Sequence, residues 1–492
     1  MIVSAVLLLL VSTALGVACV GLSRPAARRL GLTDAADGRR KHQPRPVSVG
    51  GGLGVLLAAA LGLGGVAAVR PDVADRLAAP PGRLISLLAG AAVIAAVGLL
   101  DDLVPLRARY KLLGQAAAAL VLILTGGYVI DRLTLLGVPV ELGPLAVPVT
   151  LLWFLAAINA VNLLDGMDGL LGTVGVIIFA SLAVMALGLG HEFPGYVALA
   201  MAGALLGFLV FNLPPATVYL GDCGSMVIGL VVAALAISSS LKGTTVAIVG
   251  PTALLVLPIL DTTAAIVRRK LTGRGVAVPD RGHFHHEMQR RYANRWPVLA
   301  AAALLGLIGA AGALVGTFLS NDFYAVGAGA VVLIVLAVTG WFGLTEVRLI
   351  GARAGATLRR VRGPRDAVES AVRLQGSAEW RDFWRKLVRL AETLEVTSLR
   401  LTVAAPAWSE SFYGRWDRSD SAVRVDAEDF WRVEVPVAAQ GVTVGKLTLV
   451  GSAARLTMVE QLRRLTAVLP DLNRVLPPLP GREVAATTPG KA

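Results

Sequence analysis

The sequence predicts an all-α polytopic membrane protein of about eleven transmembrane helices, followed by a small C-terminal α+β cytoplasmic domain. Three observations predict it. Hydrophobic residues make up 55% of the 492 positions and charged residues only 16%, where a soluble protein carries about 25% charged residues. The charge is sparse to about Leu344 and dense from Arg348 onward. Apolar runs close to the ~20 residues that cross a bilayer as a helix recur throughout the sparse part.

The runs fall at 2–22, 47–69, 84–100, 112–130, 146–161, 169–189, 195–213, 224–241, 245–267, 297–319 and 323–344. Several contain Gly or Pro, which membrane helices tolerate. The first has neither a basic flank before it nor a small-residue cleavage site after it, so it reads as a retained helix rather than a signal peptide. Together these runs define a membrane domain over 1–345. A basic juxtamembrane linker is expected over 346–375, an α+β domain over 376–475 and a disordered tail over 476–492. In the α+β part, Trp380, Phe383, Trp384, Leu387 and Leu390 recur at helical spacing across 377–394. Strands are expected at 399–403, 431–437 and 442–450, and a second helix at 453–472. Nothing in this part has catalytic spacing.

Lys and Arg in the loops set the orientation. The first loop holds seven of them between Arg24 and Arg45, and the ninth holds eight between Arg268 and Arg295. Even-numbered loops are poor: Arg70, Arg76 and Arg83 in the second, Arg132 in the fourth, Lys242 in the eighth. Odd loops and the C-terminus are therefore expected in the cytoplasm and the N-terminus outside. The net charge of +13 follows from this bias and from attraction to anionic headgroups. No basic patch with readout residues is present, so nucleic acid is not an expected partner. Two cysteines, Cys19 and Cys223, give neither a disulfide nor a metal framework.

Four polar clusters fall in odd-numbered loops. Asp101 and Asp102 end the third run, and Arg107, Arg109 and Lys111 follow. Adjacent acids can be a solvated helix end, but a few cations beside them can hold a metal or align a phosphate. The fifth loop reads NAVNLLDGMDGL. Turn chemistry explains its Asp-Gly pairs but not Asn159 and Asn162, which share a helix face. With Asp165 and Asp168 they can read a base edge or bind ribose hydroxyls. Asp222, in the seventh loop's FNLPPATVYLGDCGS, opens a helix and reads either as an ordinary N-cap or as a carrier of magnesium to a pyrophosphate. The ninth loop holds DRGHFHH, with Arg281 and three of the chain's five histidines, His283, His285 and His286. Zinc is the runner-up reading there, without a clear fourth ligand; a phosphate-rich substrate suits the basic surroundings better. In the first loop, Lys41, His42 and Arg45 would face the headgroup region, with Gly50 and Gly54 suited to close helix packing.

LDDLVPLRARYKLLGQ, NAVNLLDGMDGL, the GDCGS segment and HFHH occur in the order and spacing of the polyprenyl-phosphate N-acetylhexosamine-1-phosphate transferases, and the chain resembles that family over roughly 1–345. The resemblance implies transfer of a phospho-sugar from a UDP-N-acetylhexosamine to a polyprenyl phosphate such as undecaprenyl phosphate, with release of UMP. DRGHFHH and HQPRPVSVGG look like the branch that uses UDP-N-acetylglucosamine. The branch that takes UDP-N-acetylmuramoyl-pentapeptide for peptidoglycan carries a PxxHHH-type motif and is the alternative. Cys223 departs from the small hydroxyl residue common in the family.

As implied roles, Asp101, Asp102, Asp222 and His285 are catalytic. Lys111, Asn162, Asp165, Asp168, Asn212, Arg281, His283 and His286 bind substrate. Magnesium, for which manganese can substitute, sits on Asp222 with Asp165 as a second candidate ligand. The enzyme would be a multi-pass protein of the plasma (inner) membrane, with its active site cytoplasmic; a homodimer is left open. A transporter, the rival of a different class, would show internal repeats and binding groups at the midplane on broken helices, and no repeat is found.

Overall fold

The structure is a computed structural model. It describes residues 1–34, 46–239 apart from 80–81 and 136–137, 249–271, 283, 288–339 apart from 290 and 293, most of 368–452, and isolated positions beyond. The chain divides into two compact units, one of Met1–Ala264 with His283–Trp341, the other of Ala265–Gly282 with Phe342–Ala492.

The first unit is helical. Its helices are α1 (Ile2–Arg29), α2 (Gly51–Val69), α3 (Pro71–Ala78), α4 (Arg83–Leu103), α5 (Ala108–Gly126), α6 (Ala146–Leu164), α7 (Leu170–Gly188), α8 (Glu192–Asn212) and α9 (Gly221–Ser239). They are followed by α10 (Val249–Leu254), α11 (Val256–Leu271), α12 (Trp296–Phe318) and α13 (Asp322–Val338). Among the described residues, nine helices are long and apolar enough to cross a membrane: α1, α2, α4 to α9 and α12. The chain is thus a multi-pass membrane protein, but the expected eleven spans are not all single helices. The 245–267 run is broken at Leu255 between α10 and α11. Pro258 has no N–H to give the Leu254 carbonyl four residues back, and its ring crowds that carbonyl, which accounts for the break. The 323–344 run yields α13, a helix of 17 residues.

α9 is the central helix, with every residue from Cys223 to Ser239 buried, and α2, α4 and α6 pack on it. Small residues set how closely. A Cβ on Gly52 would lie 2.3 Å from the backbone nitrogen of Gly224, and one on Gly98 would lie 2.4 Å from the Cα of Cys223. The start of α9 is therefore wedged backbone to backbone between α2 and α4, as small-residue contacts between membrane helices allow. A short sheet joins the loops above it. β1 (Thr33–Asp34) pairs antiparallel with β2 (Val47–Val49), and β2 pairs parallel with β5 (Val218–Tyr219). A hairpin of β3 (Arg132–Leu135) and β4 (Val138–Glu141) precedes α6.

The second unit contains an antiparallel five-stranded sheet in the order β6-β8-β7-β10-β9. Its strands are β6 (Val368–Gln375), β7 (Ser398–Ala405), β8 (Glu410–Asp417), β9 (Phe430–Ala439) and β10 (Val442–Ser452). α14 (Trp380–Thr393) lies against it, with Trp380 stacked on Phe412 at a centroid distance of 5.2 Å. The expected helix and three strands are present. β6 lies inside the stretch expected as linker, and β8 was not expected at all. Its residues are almost all buried rather than alternating, and the glycine in its middle, Gly414, makes room for the Trp384 ring, which a Cβ would meet at 2.6 Å. Of the tail expected over 476–492, Leu476 instead packs into the aromatic core, and the rest lies outside the described residues, as does most of the helix expected at 453–472.

Candidate functional site

Asp101 and Asp222, far apart in the chain, meet at one end of α4, α5, α6 and α9. α4 stops at Leu103 because Pro105 disfavours helix at Val104, which is extended. The chain turns, the Leu106 N–H donates to Asp101 Oδ1 at 2.7 Å, and α5 begins in time to carry Lys111 back over the acids. Lys111 Nζ donates to Asp101 Oδ2 at 2.9 Å and to Asp222 Oδ2 at 2.8 Å. Asn162, on the last turn of α6, donates through Nδ2 to Asp222 Oδ1 and, at 2.8 Å, to Ser225 Oγ. Four helices thus contribute polar side chains to a junction in which Lys111 and Asp222 are 111 residues apart.

Asp102 does something different from its neighbour. Its two oxygens accept the backbone N–H groups of Asp222, at 2.8 Å, and Cys223, at 3.2 Å. It is an N-cap for α9 supplied from another helix, and it satisfies donors that a helix start otherwise leaves orphaned. Gly221, at φ +73°, turns the chain into that cap. A Cβ there would also meet Asp102 Oδ2 at 2.5 Å. Asp102→Ala is expected to cost about 1 kcal/mol of stability and to lower activity through the placement of Asp222. Asp102→Asn, which keeps one acceptor, should retain clearly more of both. Melting temperature in detergent and turnover, measured on the two variants side by side, check this.

The side chains of Asp101, Lys111 and Asp222 are 11%, 20% and 28% exposed. They are open enough to be reached by a substrate and dry enough for charge to act strongly. One turn deeper lies a polar floor. Asn159 Nδ2 donates to Gln115 Oε1 at 2.7 Å, and Gln115 Nε2 lies 3.5 Å from Met226 Sδ.

Asp165 ends α6 as its C-cap. Burial, and then the negative charges of Asp222 and Asp102, push its carboxyl up to about 7. Among the described residues nothing donates a hydrogen bond to that carboxylate. Among the described residues the junction therefore holds four carboxyl groups and the ammonium of Lys111, which already lies between two of them where a cation is wanted. This donor set suits a divalent cation. No closed group of three or more His, Cys, Asp or Glu is found among the described residues, but a hard cation that keeps substrate phosphates and waters as ligands needs only one or two carboxylates.

Other expected site residues sit elsewhere. Asp168 is buried, accepts the Ala216 N–H at 3.1 Å and the Tyr219 hydroxyl at 3.4 Å, and pairs with Arg295. Asn212 accepts from the Gly169 N–H and donates to the Val218 carbonyl, both at 2.9 Å. These two side chains tie the fifth loop to the seventh and to the start of α12, and the hydrogen bonds they make there do not run to the Asp222 junction. His283 is buried at 5% exposure against Asp261. Arg281, His285 and His286 of the same loop, and Lys41, His42 and Arg45 of the first, lie outside the described residues. Gln115, Ser225, Asp261 and Arg295 were not among the expected site residues. Gln115 follows Lys111 by one turn, and Asp261 is the only acid in the 245–267 run; those were the available signals.

A family model described as glycosyl transferase family 4 matches residues 84–240, the stretch from α4 to the end of α9. A probable undecaprenyl-phosphate N-acetylglucosaminyl 1-phosphate transferase of Bacillus subtilis is 34% identical over 212 residues, 42% of this chain and 58% of that relative. A decaprenyl-phosphate N-acetylglucosaminephosphotransferase of Mycobacterium tuberculosis is 32% identical over 276 residues, 50% of this chain and 67% of the relative. A phospho-N-acetylmuramoyl-pentapeptide-transferase of Shouchella clausii is 30% identical, covering 46% of this chain and 71% of the relative. The chain belongs to glycosyl transferase family 4. The region matching the family 4 model contains Asp101, Asp102, Lys111, Asn162, Asp165 and Asp222, so the whole junction is family 4 sequence. The His283 loop and the C-terminal sheet lie beyond that region.

Proposed function

We propose that this family 4 enzyme transfers N-acetylglucosamine-1-phosphate, or a related N-acetylhexosamine-1-phosphate, from a UDP-sugar to undecaprenyl phosphate, releasing UMP. It would act on the cytoplasmic side of the plasma membrane, as the first membrane step of a cell-envelope polysaccharide. The observation that carries this reading is the junction itself: Asp101, Lys111, Asn162 and Asp222 joined by hydrogen bonds at the ends of four membrane helices. The names of two of the three relatives above, both N-acetylglucosamine phosphotransferases acting on prenyl phosphates, supply the substrate class.

In this reaction an oxygen of the lipid phosphate attacks the β-phosphorus of the donor. The bond from that phosphorus to the bridging oxygen breaks, and UMP leaves with the electron pair. A phosphate monoester has a second pKa near ~6, so the acceptor is largely dianionic at neutral pH and needs no strong base. The obstacle is repulsion between two anions, which charge stabilisation and in-line positioning offset. Asp222 and Asp165 would hold magnesium, or manganese in its place. When bound, the ion supplies Lewis-acid stabilisation of the pyrophosphate.

Lys111 meets phosphate charge, Asp101 aims Lys111, and Asn162 holds Asp222 in position. Asp102 fixes the helix start that carries Asp222. Asp168 and Asn212 border the nucleotide end, and Arg281, His283, His285 and His286 engage the pyrophosphate or the sugar. The hydrogen bonds already made by both oxygens of Asp101 and of Asp102 support direct displacement over a phospho-aspartate route.

Membranes incubated with radiolabelled UDP-N-acetylglucosamine and undecaprenyl phosphate should place label in the lipid extract in step with UMP release. Chelation should stop this and added magnesium restore it. Sugar accumulating unmodified inside vesicles would instead support transport. The pentapeptide transferase among the relatives favours a second donor, UDP-N-acetylmuramoyl-pentapeptide; faster lipid labelling with that donor would overturn the N-acetylglucosamine assignment.

A further inference from the structure

We propose that Asp261 is a positioning residue of the transfer site that acts through His283; the proposal rests on the reaction inferred above. The two side chains come from elements separated by 22 residues, and His283 Nδ1 lies 3.0 Å from Asp261 Oδ2. Asp261 is 2% exposed and His283 5%.

The depth of the pair is the informative part. α11 ends in a basic turn of Arg268, Arg269 and Lys270, the kind of belt that marks a headgroup boundary. Asp261 lies seven residues before Arg268 on the same helix, about 10 Å deeper at the rise of an α-helix. An acid that deep in an apolar run is costly, and such residues are kept where they do work and have a partner. The partner here is a histidine from the loop after α11. His283 itself is buried against the acid rather than solvated.

The chemistry of the contact fixes what His283 presents. A carboxylate accepts, so Nδ1 carries the proton, and the ring is held in one tautomer and one orientation. In the proposed reaction Nε2 is the nitrogen that would meet the anionic substrate, as a donor when the ring is protonated and an acceptor when it is neutral. Asp261 thereby favours the Nδ1–H tautomer and the ring angle that goes with it. Arg268 is also buried, and its charge on the same helix is the nearest cation along α11 to the pair.

Two measurements on the full chain test this. The first is the 15N spectrum of histidine-labelled protein at mildly alkaline pH. With five histidines in the sequence, H283Q assigns the signal by its loss. The expected result is an Nδ1–H tautomer at His283 that is lost in D261A; a neutral Nε2–H tautomer in the unaltered protein overturns the proposal without any activity measurement. The second is a double-mutant cycle in the transfer assay. D261A should lower kcat by about 10–100-fold, the size seen when the partner of a working histidine is removed. The KM for UDP-N-acetylglucosamine should change little, and D261E should recover part of kcat. In the H283A background D261A should cost nothing more; a further loss there means Asp261 acts by another route and overturns the proposal. If the unaltered protein transfers nothing from any UDP-N-acetylhexosamine, the inferred reaction fails, and the tautomer still decides the pairing.

Discussion

Asp222→Asn is expected to reduce transfer on the order of 10³-fold or more while the protein still inserts and folds. Its carboxylate receives Lys111 on one oxygen and Asn162 on the other, and its own N–H is held by Asp102. The asparagine keeps the backbone hydrogen bond and one acceptor, so the helix start survives. What is lost is the negative charge that Lys111 faces and that a cation on the donor pyrophosphate would need. Lys111 retains Asp101, which prevents an unpaired ammonium from unfolding the site. Turnover near the unaltered rate by purified D222N would remove Asp222 from the chemistry altogether.

Gly98→Ala should be nearly as damaging for a purely steric reason. The added methyl carbon would sit 2.4 Å from the Cα of Cys223 and 2.5 Å from its nitrogen, and backbone atoms cannot rotate away as a side chain can. Overpacking of this kind costs about 1–3 kcal/mol, occasionally more. To relieve it, α4 and α9 must move apart, which separates Asp102 from the N–H groups it caps and shifts Asp222. A displacement of about 1 Å can cost ~10²-fold in rate. Gly52→Ala, on the α2 side of the same wedge, should behave alike. Melting in detergent together with transfer rate decides the matter: an unchanged melting temperature with full activity would show that the helices are not packed this closely.

Much of this architecture was legible in the chain. Among the described residues, nine of the eleven spans expected from length and hydropathy are helices long enough to cross a membrane, and the odd-loop acids foretold the junction, because a carboxylate at the end of an apolar run has few inexpensive places to go. The break at Leu255 was less visible, since hydropathy sums over a run whether or not proline interrupts its hydrogen bonds. The partition of labour among the acids could not be read either. Asp101 and Asp102 are neighbours in sequence, yet one accepts from Lys111 and the other caps α9, a difference set by helical phase and by a partner 120 residues away. Asp168 resembled Asp165 on paper. Only the fold shows that it faces Arg295 and Tyr219 rather than Lys111. In the C-terminal sheet, β8 was missed because an edge-to-edge buried strand lacks the alternation that marks a half-exposed one.

Lys111 bridges the carboxylates of two helices, α4 and α9, that Asp102 also ties together through the first N–H groups of α9. Because one ammonium answers to two carboxylates, the trio behaves as a single electrostatic body rather than as three separable contacts. Deleting the lysine would leave the acids repelling each other across the gap, while deleting either acid would swing the lysine wholly to the survivor. No member of the trio can then be assigned a private share of the catalytic effect, and damage inflicted on two of them together should fall well short of the sum.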